Sequence, residues 1–151
     1  MGHTYHNLEY HIVTSTKGRT PSIRPEIRPR LDSYIGGIVR EHGGTLLSAG
    51  GVEDHSHWLV SAKPHVAPSD LVRAIKAGSS GWLHETLPEM RGFQWQAGYS
   101  IFSVSKSREE TVCRYIQGQE EHHKKQTFME ELRALLEKHG VPFDSRYLAA
   151  D

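Results

Sequence analysis

The order in which strand-like and helix-like patterns follow one another most constrains the fold of this chain. Residues 8–17 are rich in β-branched and aromatic side chains, as strands are. Residues 28–44 then carry apolar side chains at helical spacing and end at two glycines, a common helix stop. Segments 45–52 and 55–62 again have strand character, and only two residues separate them, which predicts a β-hairpin.

The second half of the chain continues this alternation and then ends in helices. Residues 69–87 have the pattern of an amphipathic helix, and residues 95–105 have that of a fourth strand. Helices are predicted over 107–126 and 127–140, because each segment opens with Ser or Thr three residues before Glu, the capping-box spacing. The order β-α-β-β-α-β with two further helices predicts an α+β, ferredoxin-like (split β-α-β) fold. Such a fold has a four-stranded antiparallel sheet with helices on one face, here with a C-terminal helical segment added.

Length and composition fit a single folded unit. A chain of 151 residues with 36% hydrophobic residues can bury one sizeable core, so we expect one domain over 1–151. No apolar run approaches the roughly 20 residues that cross a bilayer, and the N-terminal residues lack the apolar core of a signal peptide. We therefore expect no membrane association and a cytoplasmic location. The single cysteine, Cys113, excludes an internal disulfide.

A basic segment, residues 17–30, stands out in a chain whose formal net charge is zero. It contains a single acidic residue, Glu26, and the cations Lys17, Arg19, Arg24, Arg28 and Arg30. Such a segment can follow a phosphate backbone, and we predict that the first four of these cations contact DNA. The alternative interpretation is a solvated loop that only aids solubility.

Two histidines, His55 and His57, flank Ser56 within the predicted strand 55–62. Alternate strand residues leave the same face with Cα atoms roughly 6.5–7 Å apart, so both imidazoles can bind one metal ion while Ser56 points to the other face. Two imidazoles make an incomplete site that needs further ligands. The chain has 11 histidines, which gives roughly one such pair by chance, so a pair of sheet-surface histidines is the alternative.

The predicted helix 107–126 contains a tyrosine and an amide that complement the two histidines. Tyr115 and Gln119 lie four residues apart and share one helix face. Two imidazoles and an amide oxygen could bind Mg²⁺ or Mn²⁺, which would stabilise charge on a phosphodiester. The Tyr115 phenol could then attack phosphorus to form a covalent phosphotyrosine. A half-buried helix tyrosine is the alternative interpretation.

The segment D-H-S-H-W-L-V (54–60) is followed about sixty residues later by Y-I-Q-G-Q-E-E-H-H (115–123). Together these segments resemble the HUH single-tyrosine transposases of the insertion-sequence-200-like family. The resemblance covers nearly the whole chain in order, including residues 14–19, 75–80, 95–99 and 103–105, and Phe128 with Glu131. One residue departs from the family pattern: the middle position of the HUH motif is usually bulky and hydrophobic, and here it is Ser56.

The resemblance implies a function and roles for individual residues. It implies His55, His57 and Gln119 as ligands of a divalent metal and Tyr115 as the nucleophile. The implied activity is cleavage and rejoining of single-stranded DNA at element ends through a 5′-phosphotyrosine intermediate.

The resemblance also implies partners and a setting. The implied DNA partner is single-stranded DNA with a hairpin. The implied assembly is a homodimer in which the tyrosine helix of one chain serves the histidines of the other. The implied location is the prokaryotic cytoplasm, at the nucleoid. Two alternatives are a domesticated relative that processes chromosomal palindromic repeats and a non-catalytic nucleic-acid-binding module on the same fold.

The remaining histidines near these motifs receive no role in the site. His122 and His123 match the family pattern without an assignable function. His3, His6 and His11 have a spacing that suits neither a strand nor a helix face, and we interpret them as surface residues.

Overall fold

A computed structural model describes residues 2–148 and contains one four-stranded antiparallel sheet. The strands are β1 (Leu8–Ser15), β2 (Thr45–Val52), β3 (His55–Ala62) and β4 (Ser100–Val104), and their order across the sheet is β2-β3-β1-β4. This is the strand order of the ferredoxin-like fold, so the predicted fold class is confirmed.

Helices cover both faces of the sheet. The first pair, α1 (Arg28–Glu41) and α2 (Pro68–Thr86), packs on one face, as predicted. The C-terminal segment contributes α3 (Glu109–Gln117), α4 (Gln119–His122) and α5 (Phe128–Lys138), and α3 and α5 pack on the opposite face. Side chains alternate along a strand, so successive residues of β3 project alternately toward the α1–α2 face and the α3–α5 face.

The larger apolar core lies between the sheet and the first helix pair. Ile12 of β1 and Trp58 of β3 are fully buried there, against apolar residues of α1 and α2 such as Ile35 and Ile75. The opposite face has two smaller clusters, one under α5 and one under α3. The histidine pair of β3 lies on this second face, since His57 is in register with Val13, which packs under α5.

A close backbone approach fixes α3 on the sheet. A Cβ atom on Gly50 of β2 would overlap the carbonyl oxygen of Ile116, so only glycine lets the helix backbone lie this near the strand. Ile116 itself is fully buried against Leu59 of β3. This contact determines where the neighbouring Tyr115 is presented.

Two predicted elements differ in the structure. The fourth strand is confined to Ser100–Val104, and Trp95 forms only an isolated bridge with Thr16. The predicted helix 107–126 is broken at Gly118, where the backbone leaves helical geometry and α4 begins at the next residue.

The two capping boxes also differ in outcome. The one expected at Ser107 does not form, because its hydroxyl bonds that of Ser105 and the local backbone is a 3₁₀ turn. The capping box at Thr127 is confirmed, with reciprocal hydrogen bonds to Glu130 of 3.0 and 3.2 Å. No helix among the described residues is long and apolar enough to cross a membrane.

Candidate metal centre and active site

Both motif histidines are fully buried on the face of β3 that α3 and α5 cover. The ring centroids of His55 and His57 lie 5.2 Å apart. Their Nε2 atoms point toward α5, where they meet a carboxylate from Glu131. The predicted shared face of the two imidazoles is therefore present.

One oxygen of Glu131 lies among three imidazoles. Its Oε1 is 3.0 Å from His57 Nε2, 3.2 Å from His123 Nε2 and 3.5 Å from His55 Nε2. Ligand atoms from these four residues all lie within 4.8 Å of one another. Three nitrogens and one oxygen at this separation form a donor set suited to a divalent cation.

The other oxygen of Glu131 binds the residues predicted on the tyrosine helix. Oε2 accepts a hydrogen bond from Gln119 Nε2 at 2.9 Å and another from the Tyr115 hydroxyl. His122 Nε2 lies 3.5 Å from the same hydroxyl. A single carboxylate thus joins the histidine cluster to the phenol.

An outer layer orients the two motif histidines. Asp54 Oδ1 lies 2.8 Å from His55 Nδ1, and His11 Nε2 lies 2.8 Å from His57 Nδ1. Such partners fix the ring orientation of histidines that bind metals. His11 is almost fully buried, so its interpretation as a surface residue was wrong. It shares a strand face with Val13, which the alternation along β1 already indicates.

The hydrogen-bond pattern at His55 provides a test of metal fit. Asp54 is an acceptor, so His55 donates its Nδ1 proton and a neutral ring leaves a lone pair on Nε2. That lone pair faces two more acceptors, Gln119 Oε1 at 3.1 Å and Glu131 Oε1 at 3.5 Å. Only a proton or a cation between them satisfies all three atoms. The residues present therefore fit a metal ion.

Burial and the central carboxylate set the charges of the cluster. Burial lowers the pKa of His57 to about 4, so its imidazole is neutral near pH 7. Burial opposes charge on His55 too, but hydrogen bonds with neighbouring carboxylates outweigh it and raise its pKa. For Glu131, burial raises the pKa, yet hydrogen bonds from three histidines bring it well below its ordinary value. Burial and that carboxylate together raise the pKa of Tyr115, which keeps the phenol protonated.

Sequence reasoning placed four residues in this site and missed two. The structure brings together His55, His57, Tyr115 and Gln119 as the motif predicts. It adds Glu131 and His123, for which no role was predicted. A signal for Glu131 existed: it lies on the apolar stripe of α5 that contains Phe128 and Leu132, where a charged residue needs a partner.

The cations of the basic segment take different positions. Lys17 and Arg19 form an exposed turn after β1, and Arg19 has a left-handed backbone with φ of 54°. Arg24 is half exposed and pairs with Glu89 at 2.8 Å. Arg28 instead points inward toward the β2–β3 hairpin. The DNA contacts predicted for all four cations stay predictions, and for Arg28 such a contact would require that it leave these partners.

A cleft of about 570 Å³ leads from this turn to the metal cluster. Its lining includes the cations Arg19, Arg28 and Lys124, together with Phe128 and His123. The ring of Phe128 lies 4.5 Å from that of His55 by centroid. The cleft therefore places exposed cations beside His123, the residue of the metal cluster that lines it.

Comparison with known proteins identifies the family. Residues 4–119 match the family described as "Transposase IS200 like". The chain belongs to this family. The match contains four of the site residues, His55, His57, Tyr115 and Gln119, and it ends before His123 and Glu131.

Individual IS200-like proteins are similar over most of the chain. The ISDra2 transposase TnpA of Deinococcus radiodurans is 28% identical over 123 residues, covering 78% of this chain and 87% of that protein. A crystal structure of a proposed transposase from the same organism is 26% identical, has a TM-score of 0.63 and covers 79% of this chain and 96% of its own. A REP-associated tyrosine transposase bound to a REP hairpin shares the fold, with a TM-score of 0.55, 12% identity and coverage of 77% and 70%.

Proposed function

We propose that this IS200-like transposase cleaves and rejoins single-stranded DNA at element ends through a 5′-phosphotyrosine formed on Tyr115. The observation that carries the proposal is the carboxylate of Glu131, which binds the Tyr115 hydroxyl and lies among three imidazoles. A nucleophile and a cation site can therefore act on the same phosphate.

The residues of the chain perform the transfer as follows. Glu131 Oε2 orients the Tyr115 hydroxyl, whose oxygen forms a bond to phosphorus while the bond from phosphorus to the 3′ oxygen breaks. The phenol proton leaves along the hydrogen bond to Glu131 and ends on the 3′ oxygen. Rejoining is the reverse attack by a free 3′ hydroxyl, with the phenol as the leaving group. A phenol ordinarily ionises with a pKa of about 10, far more readily than an aliphatic hydroxyl, and so suits both directions. Burial and Glu131 raise the pKa of Tyr115, so its proton leaves only as the oxygen attacks.

A divalent metal, Mg²⁺ or Mn²⁺, fits the donor atoms of His55, His57, His123 and Glu131. Gln119, the third ligand that the resemblance implies, presents its Oε1 3.1 Å from His55 Nε2 and completes the proposed site. When bound, the ion neutralises charge on the non-bridging oxygens of the scissile phosphate. The neutral imidazole of His57 is in the state that metal binding needs.

The substrate and the assembly are part of the same proposal. The REP-associated transposase of the same fold binds a DNA hairpin, which supports single-stranded DNA with a hairpin as the substrate here. We propose that residues 1–151 act as one domain in a homodimer with shared active sites, in the prokaryotic cytoplasm at the nucleoid. In the single chain, Tyr115 lies against its own histidines, with a centroid distance of 5.8 Å to His57.

The experiment that tests this function looks for the covalent intermediate. The purified protein is mixed with labelled single-stranded hairpin DNA and Mn²⁺, and the products are separated in SDS. We expect a labelled protein band that chelation by EDTA prevents. Binding of the hairpin with no adduct under any metal condition would instead indicate a non-catalytic binding module.

The metal site makes a separate prediction. His57→Ala removes a buried nitrogen donor, so Mn²⁺ affinity should fall by more than about 100-fold, since loss of even an outer partner typically costs 10–100-fold. Isothermal titration calorimetry measures this without DNA. The exposed His65 provides the matched control, and His65→Ala should bind Mn²⁺ like the unaltered protein. Equal affinity in the two variants would remove His57 from the site.

The exposed turn after β1 predicts a salt effect. Replacing Lys17 and Arg19 by Gln should flatten the dependence of log affinity on log salt by about 0.7 for each single-strand phosphate that the two cations neutralise. Titrations of fluorescent hairpin DNA at several salt concentrations measure the slope. Lys63→Gln, at the far end of β3, is the control and should leave the slope unchanged. A slope that does not respond to Lys17 and Arg19 would assign the turn to solubility.

A further inference from the structure

The guanidinium of Arg28 is largely buried behind the metal-binding strand, with 12% of the side chain exposed. It enters from the first turn of α1, on the face of the sheet opposite the metal cluster. Nη1 donates to Ser56 Oγ at 2.6 Å, and Nη2 donates to two backbone carbonyls, Val52 at 2.6 Å and His55 at 3.0 Å. Asp32, one turn along the helix, balances the charge with an oxygen 3.6 Å from Nη1. One side chain thus connects both strands of the β2–β3 hairpin.

The residues around this guanidinium are the ones that allow it to fit. Ser56 is fully buried and offers a small hydroxyl acceptor, whereas a bulky apolar side chain could not accept the 2.6 Å hydrogen bond that Nη1 donates. At Gly51, with φ of 152°, a Cβ atom would come within 2.9 Å of Nη2. Arg28, Ser56 and Gly51 therefore form one matched set. This accounts for the serine at the centre of the H-S-H motif.

Through Arg28, this set contacts the backbone of the metal ligand His55 from the opposite face of the sheet. Arg28 binds the backbone carbonyl of His55, while Asp54 binds its ring through Nδ1. Backbone and ring are each fixed by a charge-assisted hydrogen bond, the stronger class of such bonds. Movement of the carbonyl would shift the position from which the imidazole projects.

We propose that Arg28 is a positioning residue for the metal site. Ser56 is the hydrogen-bond partner that allows the Arg28 guanidinium to pack against the sheet. This inference rests on the proposed metal-dependent function. It assigns Arg28 to the alignment of His55 and not to contact with DNA. The two positions are coupled: an apolar residue at 56 requires an uncharged residue at 28.

Four proteins test the proposal: the unaltered chain, Arg28→Met, Ser56→Val and the double variant. Asp32→Asn is added wherever Arg28 is replaced, because the Asp32 carboxylate would otherwise lose the cation that balances it. Thermal unfolding without metal measures stability, and calorimetry measures Mn²⁺ affinity. Ser56→Val alone should lower the melting temperature strongly, because it leaves a buried cation without one of its acceptors. The double variant, which carries Asp32→Asn as well, removes the cation, its hydroxyl acceptor and the balancing charge together, and it should recover most of the stability that Ser56→Val loses.

Metal affinity separates positioning from packing. We expect the double variant to bind Mn²⁺ at least tenfold more weakly than the unaltered protein despite its recovered stability, because the His55 carbonyl no longer has its partner. Recovery of full Mn²⁺ affinity together with stability would overturn the proposal and make Arg28 a packing residue.

Two further outcomes distinguish this inference from the proposed function. A failure of the unaltered protein to bind Mn²⁺ would overturn the metal site itself, before any Arg28 variant is compared. A flattened salt dependence of hairpin affinity in the double variant would overturn the assignment of Arg28 and return it to DNA binding.

Discussion

Replacing Tyr115 by phenylalanine should abolish the covalent protein–DNA adduct and leave DNA affinity near normal. The substitution removes the oxygen that binds Glu131 and keeps a ring of the same shape on α3. The loss therefore lies in the chemical step and not in binding. Calorimetry should find Mn²⁺ bound to the variant, since the three imidazoles and the carboxylate remain. Denaturing electrophoresis with labelled hairpin DNA measures the adduct.

Tyr99→Phe is the matched control, because this half-exposed tyrosine lies just before β4, near Lys76 and away from the histidine cluster. It should form the adduct at the normal rate. Mass spectrometry that located the linked nucleotide on any residue other than Tyr115 would contradict the assignment. Mixing Tyr115→Phe chains with His57→Ala chains then tests the shared site, because the adduct returns only if one chain's tyrosine serves the other's histidines.

Gly50→Ala should displace α3 and slow adduct formation by about 100-fold, the cost that a shift of roughly 1 Å can have at an active site. The added methyl would overlap the carbonyl oxygen of Ile116, a backbone atom that cannot rotate away. The helix must move off β2, and Tyr115 moves with it. Overpacking of this kind also costs about 1–3 kcal/mol in the free energy of unfolding.

Gly37→Ala is the control for that substitution. Gly37 lies inside α1, where an added Cβ would contact nothing within 4 Å. Alanine there should raise the free energy of unfolding by up to about 1 kcal/mol and leave the adduct rate unchanged. Single-turnover kinetics and denaturant unfolding measure both quantities. A Gly50→Ala protein with normal rate and stability would show that α3 does not depend on this close approach.

The sheet could be predicted from the sequence because the patterns that mark strands and helices are local. Strand and helix periodicities are visible within each segment, and their order alone selects the ferredoxin-like arrangement. The break at Gly118 was missed, since a lone glycine inside a helical pattern is usually tolerated. The strand predicted over 95–105 was too long, because pairing with β1 is interrupted: Trp95 lies opposite Thr16 and Ser100 opposite Val13, so five residue steps on one side face three on the other.

The sequence predicted those site residues that belong to short motifs. His55 with His57, and Tyr115 with Gln119, are each separated by a spacing that places both members on one face. Glu131 has no comparable sequence spacing to any of these residues. It lies on a separate helix, α5, and reaches the site only when that helix packs onto the sheet. Two clues were available: its position on the apolar stripe of α5 and its place beside Phe128 in the family resemblance.

The shared carboxylate has a consequence for engineering the metal preference of this transposase. Any substitution at Glu131 that adapts the site to a different ion also changes the acceptor that orients the Tyr115 hydroxyl. Metal choice and strand-transfer rate are therefore not separately adjustable through this residue. Glu131 variants selected only for tighter ion binding should lose turnover. Changes at His123, whose Nε2 lies 3.2 Å from Oε1, leave the Oε2 acceptor of the phenol in place.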